Sequence, residues 1–296
     1  MLFLAYLYFL LPSVLSWGPG GNYANVSVKT TVNVTSAYPE ILNISCNNGQ
    51  AITLNAGTTK NVTCLVQIQE FNGGNTITGV NETFYYYLNK SSDPNANNTH
   101  YTDSTCSSNS TSGWYTNWTC SVALLYYANN GSWRANVSAI NDHNQTTNDY
   151  RNATISSLYA LNVTSLIDFG SMAVGDTTID PPVQANVTNF GNMNINVSVY
   201  GYGGNDSVTG TGLAMICQIR NITLPNERYS INQTIQYGTM SSITGSSATI
   251  GGLTVLHQTS DVTQEINTTY WRLHVNLSTN PFGVCNGTVV FAALAP

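Results

Sequence analysis

The sequence predicts an all-β chain: two tandem antiparallel β-sandwiches after an N-terminal signal segment. Three observations predict it. Apolar residues recur with period two in nearly every patterned segment, and no stretch sustains a helical period. Polar turn clusters (FNGGN, SSDPNANN, ANNGS, NDHNQTTND) separate these segments at intervals of about ten to twenty residues, the rhythm of a sandwich. Six cysteines, an even set, fall in a chain whose first residues read as an export signal.

Residues 1–16, MLFLAYLYFLLPSVLS, are an apolar run broken by Pro12 and ending in Val14-Leu15-Ser16, suited to signal-peptidase cleavage. The run is short for a membrane span, and no later apolar run reaches spanning length, so no transmembrane anchor is expected. Residues 17–24 read as a flexible segment and 25–158 as the first sandwich. Within it VSVKTTVNVT puts Val26, Val28, Val32 and Val34 on one side, and NVTCLVQIQ does the same with Val62, Cys64, Val66 and Ile68. TCSVALLY turns Cys120, Val122, Leu124 and Tyr126 inward, and WRANVSA turns Trp133, Ala135, Val137 and Ala139 inward. Arg151 to Ile155 makes a last strand, after which the pattern restarts. The second sandwich is placed over 159–296. There Ile195, Val197 and Val199 alternate with polar residues, and YWRLHVNL points Trp271, Leu273, Val275 and Leu277 in while Arg272, His274 and Asn276 point out. A turn, STNPFG, leads to the final strand CNGTVVFAAL.

Asparagine raises a separate question. In a strand, Asn and Thr of N-V-T share the outer face, so alternation alone makes N-x-[ST] common. The reversed order fits a strand equally well but is not a glycosylation acceptor. Chance predicts roughly 8 of either order from this composition; the reversed triplet occurs about 8 times and the forward one about 22 times. Strand periodicity cannot distinguish the two directions, and Asn is a poor strand former. The asymmetry points to selection for N-linked glycan and so to an extracellular or cell-surface chain. The acceptors are Asn25, Asn33, Asn43, Asn61, Asn81, Asn89, Asn97, Asn109, Asn117, Asn130 and Asn136, then Asn144, Asn152, Asn162, Asn186, Asn196, Asn205, Asn221, Asn232, Asn267, Asn276 and Asn286.

Export favours disulfides among Cys46, Cys64, Cys106, Cys120, Cys217 and Cys285. Proximity favours Cys46–Cys64 and Cys106–Cys120, with Cys64–Cys120 as an alternative inter-sheet bridge. Cys217 and Cys285 have only each other in the second half. No C-x-x-C pair occurs and His100, His143, His257 and His274 are scattered, which argues against a zinc site.

Charged residues make up 7% of the chain, with eight Lys+Arg and a net charge of −6, which excludes the basic patch that nucleic acid requires. Asp168-Phe169-Gly170 spells a kinase metal motif, but no phosphate loop or catalytic loop accompanies it, and it reads as a strand end. No G-x-S-x-G elbow appears, and no catalytic residue is assigned. No cofactor is expected. Calcium has oxygen donors available in Glu70, Asn72 and Asn75, or in Asp142 and Asn144, although turns favour the same residue types. Trp114, Trp118, Tyr115 and the run Tyr85-Tyr86-Tyr87 offer rings that stack on sugars; in each alternating set half the aromatics belong to the core.

Two stretches carry a resemblance. FGSMAVGD followed by VTNFGNMNINV resembles an immunoglobulin-like module of secreted surface proteins, with a related pattern in camelysin-type fibre subunits and some archaeal pili. In the first half, QEFNGGN and YYANNGSW before VSAINDHN are similar to the immunoglobulin-like domains of archaeal surface proteins. The resemblance implies sandwich architecture and a surface role, and carries over no catalytic residue. The combined expectation is a non-enzymatic glycoprotein of a cell envelope or surface filament that self-associates or meets other surface proteins. The alternative is an adhesin or carbohydrate-binding module using the loop around Trp114 and Trp118.

Overall fold

A computed structural model describes residues 27–296. The signal segment, residues 17–24 and Asn25 therefore lie outside the described residues. Residues 27–35 carry no strand, although their alternation predicts one. Val28, Val32 and Val34 are exposed there. A strand needs a neighbour to accept its ladder bonds, and alternation alone supplies none.

Eight strands build the first sandwich: β1 (Glu40–Cys46), β2 (Thr59–Gln69), β3 (Ile77–Tyr86), β4 (His100–Asp103), β5 (Ser107–Ser112), β6 (Tyr115–Leu125), β7 (Gly131–Asn141) and β8 (Thr146–Ile155). They form two antiparallel sheets ordered β1-β2-β6-β5 and β4-β3-β7-β8. Lettered A to G with β4 as an extra C′ strand, this is the ABED and CFG arrangement of an immunoglobulin sandwich. The expected inward residues of β2, β6 and β7 are all buried. Trp133, fully buried, stacks on Phe84 of the same sheet with centroids 5.2 Å apart. Its Nε1–H donates to the Asn129 carbonyl in the preceding corner at 2.7 Å, so the largest core side chain hides no orphan donor.

The second sandwich follows with β9 (Leu161–Val163), β10 (Val183–Asn189), β11 (Ile195–Asn205), β12 (Val208–Gly210), β13 (Leu213–Ile219), β14 (Asn221–Thr223), β15 (Glu227–Ser230), β16 (Ser241–Ser242), β17 (Ala248–Val255), β18 (Ile266–Leu273) and β19 (Phe282–Leu294). Its sheets run β16-β15-β18-β10-β9 and β12-β11-β19-β13-β14, with β17 also beside β11. The strand order differs from that of the first sandwich: β19 lies inside its sheet, between β11 and β13. Trp271 and Leu273 face the core as the alternation predicts. Two neighbours do not follow it. Leu277 is exposed in the turn that follows β18, whereas Val275, also past the end of the strand, is buried as predicted. Arg272 points to the outer face yet is buried, because the segment before β10 crosses that face. Its Nη1 donates to Thr178 O at 2.9 Å and its Nη2 pairs with Asp180.

The three disulfides are Cys46–Cys64, Cys106–Cys120 and Cys217–Cys285. The alternative inter-sheet bridge between Cys64 and Cys120 does not form. β2 and β6 are neighbours in one sheet with Cys64 directly opposite Cys120, so such a bond would not have linked two sheets. Each observed bridge instead joins strands, or a strand and the residue entering one, within a single sheet.

The stretch Asn189-Phe190-Gly191-Asn192, part of the motif behind the resemblance, closes the junction between the sandwiches. Asn192 is buried; its Nδ2 donates to Ala128 O (3.0 Å) and Ser156 O (3.1 Å), and its Oδ1 accepts from Leu158 N (2.7 Å). Asn189, also buried, holds the turn by accepting from Gly191 N and donating to Met193, Val255 and Leu256 carbonyls. A Cβ on Gly191 would collide with the Leu158 carbonyl. Phe190 lies on Tyr126 with centroids 5.5 Å apart, and Gly57 N donates to its carbonyl at 3.2 Å. The junction is thus a packed, hydrogen-bonded interface.

Candidate functional site

The proposed glycan acceptors distribute in one direction. Among the described residues no sequon asparagine is buried, including those on β2, β3, β7, β10 and β11, whose neighbours fill the cores. The buried asparagines are Asn141, Asn189 and Asn192, and none of them begins a sequon. The edge strands add to this. β1, β5 and β8, the long edges of the first sandwich, carry Asn43, Asn109 and Asn152. Asn162 and Asn221 lie on the edges β9 and β14 of the second.

The aromatic candidates separate. Trp114 is 54% exposed in the turn between β5 and β6, and Phe71, 55% exposed, meets it edge-on with centroids 5.5 Å apart. Tyr115 is exposed beside them and accepts from Gln69 Nε2 through its hydroxyl at 3.4 Å. Trp118 does not join them. It packs half-buried against the first core, and its Nε1 is buried without a partner. The tyrosine run also divides: Tyr85 is buried against His100, Tyr86 packs on Trp133, and only Tyr87 is exposed. Phe71, which the sequence reading missed, sits next to the FNGGN turn. Its signal was a large apolar residue at a turn, where no core position calls for one.

Beneath this tip lies a polar cluster. Glu70 and Asn141 are both buried; Glu70 Oε2 accepts from Asn141 Nδ2 at 3.1 Å and Oε1 from Asn72 N at 3.1 Å. Asn141 Oδ1 accepts from the backbone N–H groups of His143 and Gln145. Of the donors suggested for calcium, Glu70 therefore has both carboxyl oxygens engaged by amide donors, and Asp142 pairs with His143 at 2.6 Å. Asp168 accepts from Gly170 N at 2.8 Å in the loop after β9, a turn contact, not the strand end the sequence suggested.

Two carboxyls stand apart. Glu82 on β3 is fully buried, its Oε2 has no partner, and its Oε1 lies 3.9 Å from Cys46 Sγ. A disulfide sulfur has no proton, so Cys46 supplies no donor to the Glu82 carboxyl. Burial, with Asp103 adding repulsion, pushes the Glu82 carboxyl up to about 8. Glu227 on β15 is 3% exposed, and burial pushes it up to about 8 as well. Glu82 with Cys46 and Cys64, and Asp103 with Cys106 and Cys120, have the proximity of metal ligands, but all four sulfurs are in disulfides and offer no thiolate.

Among the described residues, no helix is long and apolar enough to cross a membrane. Three disulfides fit an oxidising compartment.

No family model and no curated protein matches the chain. Among solved structures, a DUF4785 family protein of Legionella pneumophila aligns over 86% of this chain at 7% identity and a TM-score of 0.26; the alignment spans 47% of that protein. A carbohydrate-binding module of the β-sandwich superfamily aligns over 88% of this chain and 98% of its own length, at 9% identity and a TM-score of 0.26. The C-terminal domain of the Streptococcus agalactiae AgI/II polypeptide BspA aligns over 88% and 96%, at 10% identity and a TM-score of 0.20. At such scores these likenesses carry no argument, and the sandwich assignment rests on the strand order and cores described above.

Proposed function

We propose that the protein is an exported, non-enzymatic, N-glycosylated structural component of a cell envelope or surface filament. One observation carries this reading: the described sequon asparagines all avoid the cores, while the buried asparagines are all outside sequons. A chain with 7% charged residues needs another source of solubility, which glycans supply. An unpaired edge strand is a template for unwanted pairing. Glycans at Asn43, Asn109 and Asn152 block the three long edges of the first sandwich. The hydrogen-bonded junction supports a load-transmitting unit. Association with further copies proceeds by strand addition from residues 18–35, whose alternating valines include exposed Val28, Val32 and Val34. The test is native material from the host: its mass should exceed that of the processed polypeptide by many glycans, and micrographs should show a lattice or fibre. A bare-polypeptide mass overturns the reading. Fibres that persist after deletion of residues 17–30 overturn the strand-addition route alone.

A second reading rests on the exposed pair Phe71 and Trp114 with Tyr115, a ring surface suited to stacking on a sugar. Glycan-array binding that disappears in Trp114→Ala supports it, and an array without signal removes it.

A further inference from the structure

The second core is open along one side. β9 pairs with β10 only from Val187 to Asn189, and the chain then leaves the sheet. Beside this gap lies a groove with a volume of about 490 Å³, within the usual range for small-ligand sites. Val289 and Phe291 of β19 and Met215 of β13 line it and stay only partly buried. In the first sandwich, by contrast, Ala135 and Val137 on the inner strand β7 are completely covered. Val289, Phe291 and Met215 pack on the core but are incompletely covered on the groove side.

Glu227 lines the same groove. It is 3% exposed, and among the described residues no hydrogen bond reaches its carboxyl. The groups around it offer no counter-charge. Tyr229 is the next inward residue on its own strand, and Leu273 faces it from β18. β19 and β13 present Val289, Phe291 and Met215. Asp206 at the rim, bonded to Tyr202, is a second acid. Arg228, Arg272 and His274 belong to the outer face of the sheet by alternation. The groove therefore holds two carboxyls and no basic side chain, in a chain of net charge −6.

We propose that this groove binds a small organic ammonium ion, its apolar body against Met215, Val289 and Phe291 and its cationic head on Glu227. An opposite charge is what a buried carboxyl lacks here, and desolvation makes a matched pair stronger than in water. Burial keeps Glu227 protonated at neutral pH. Binding therefore releases the carboxyl proton to the buffer, and the ligand keeps its own. The inference is independent of the glycoprotein reading.

Calorimetry on the intact chain with hexylammonium chloride tests it, using 1-hexanol as the neutral comparison. The expected result is saturable binding that 1-hexanol does not match. At pH 6, titration in two buffers of different ionisation heat should report about one proton released per ligand, and affinity should rise by up to about tenfold per pH unit toward pH 8. Glu227→Gln should weaken binding at least about tenfold and abolish the proton release, whereas Asp206→Asn should leave the proton release in place. Equal binding of 1-hexanol, no proton release by the unmodified chain, or no binding at all overturns the proposal. The proton measurement needs no variant, so a failure of Glu227→Gln to fold does not protect the idea.

Discussion

Single residues carry the strongest physical contrasts in this protein. Each sandwich buries a glutamic acid whose carboxyl burial pushes far up, Glu82 in the first and Glu227 in the second. In the unfolded chain these carboxyls ionise near 4.5, and in the folded chain near 8. Between those values the folded state holds protons that the unfolded state has released. Stability therefore falls as pH rises, by up to about 1.4 kcal/mol per pH unit for each group. His257, whose pKa burial lowers, works in the opposite sense only below about its ordinary 6.5. Urea midpoints should thus decline between pH 6.5 and 8, and Glu82→Gln should remove about half of the slope; a flat profile contradicts the assignment. The asparagines differ as sharply. Asn192→Ala leaves two carbonyls and one N–H unpaired in the junction and should cost about 2–3 kcal/mol. Asn186→Gln, an exposed sequon change, should shift the bare polypeptide by less than about 0.5 kcal/mol. The sequence showed Asn192 only as part of a motif. Its role depends on Ala128, Ser156 and Leu158, which lie 64, 36 and 34 residues away in sequence.

At the scale of elements, period-two alternation located β2, β6, β7, β11 and β18 because one face of each meets a core. It misassigned residues 27–35, which alternate equally well and carry no strand. It also misjudged Arg272, because a crossing segment covers the outer face there. Both failures share a cause: periodicity reports which residues share a face, and only packing decides what that face meets. The tryptophans show the consequence. Trp118→Ala removes a side chain packed on the core and should cost about 2–3 kcal/mol, while Trp114→Ala should change stability by less than about 1 kcal/mol. Thermal unfolding of the two variants distinguishes a core residue from a surface one. The disulfides act on elements as well. Cys46–Cys64 fastens edge strand β1 to β2, and Cys106–Cys120 fastens the start of edge strand β5 to β6. Cys217–Cys285 closes the longest loop, with a sequence separation of 68, and its removal should cost about 4 kcal/mol in the chain-entropy model. Denaturation of Cys217→Ala/Cys285→Ala measures that loss.

For the whole molecule, the low charge content, the surface placement of the described sequons and the hydrogen-bonded junction describe two joined, sparsely charged sandwiches whose exposed edges need cover. If glycans provide it, replacing Asn43, Asn109 and Asn152 together by Gln should leave the monomer folded yet make it aggregate when produced in its own host. Light scattering of the triple variant against the unmodified glycoprotein checks this; equal solubility would mean that the edges are protected by something else.

The all-β class, the inward faces of the main strands and the directional bias of the sequons were legible in the residues alone. All three are local: a strand repeats every two residues, and an acceptor triplet spans three. The tertiary structure decided the strand orders and the placement of the disulfides within sheets. It also separated Trp114 from Trp118, clamped the junction through Asn192 and left a groove beside Glu227. Each of these depends on residues far apart in sequence meeting in space, where burial and hydrogen-bond satisfaction, not periodicity, set the free energy.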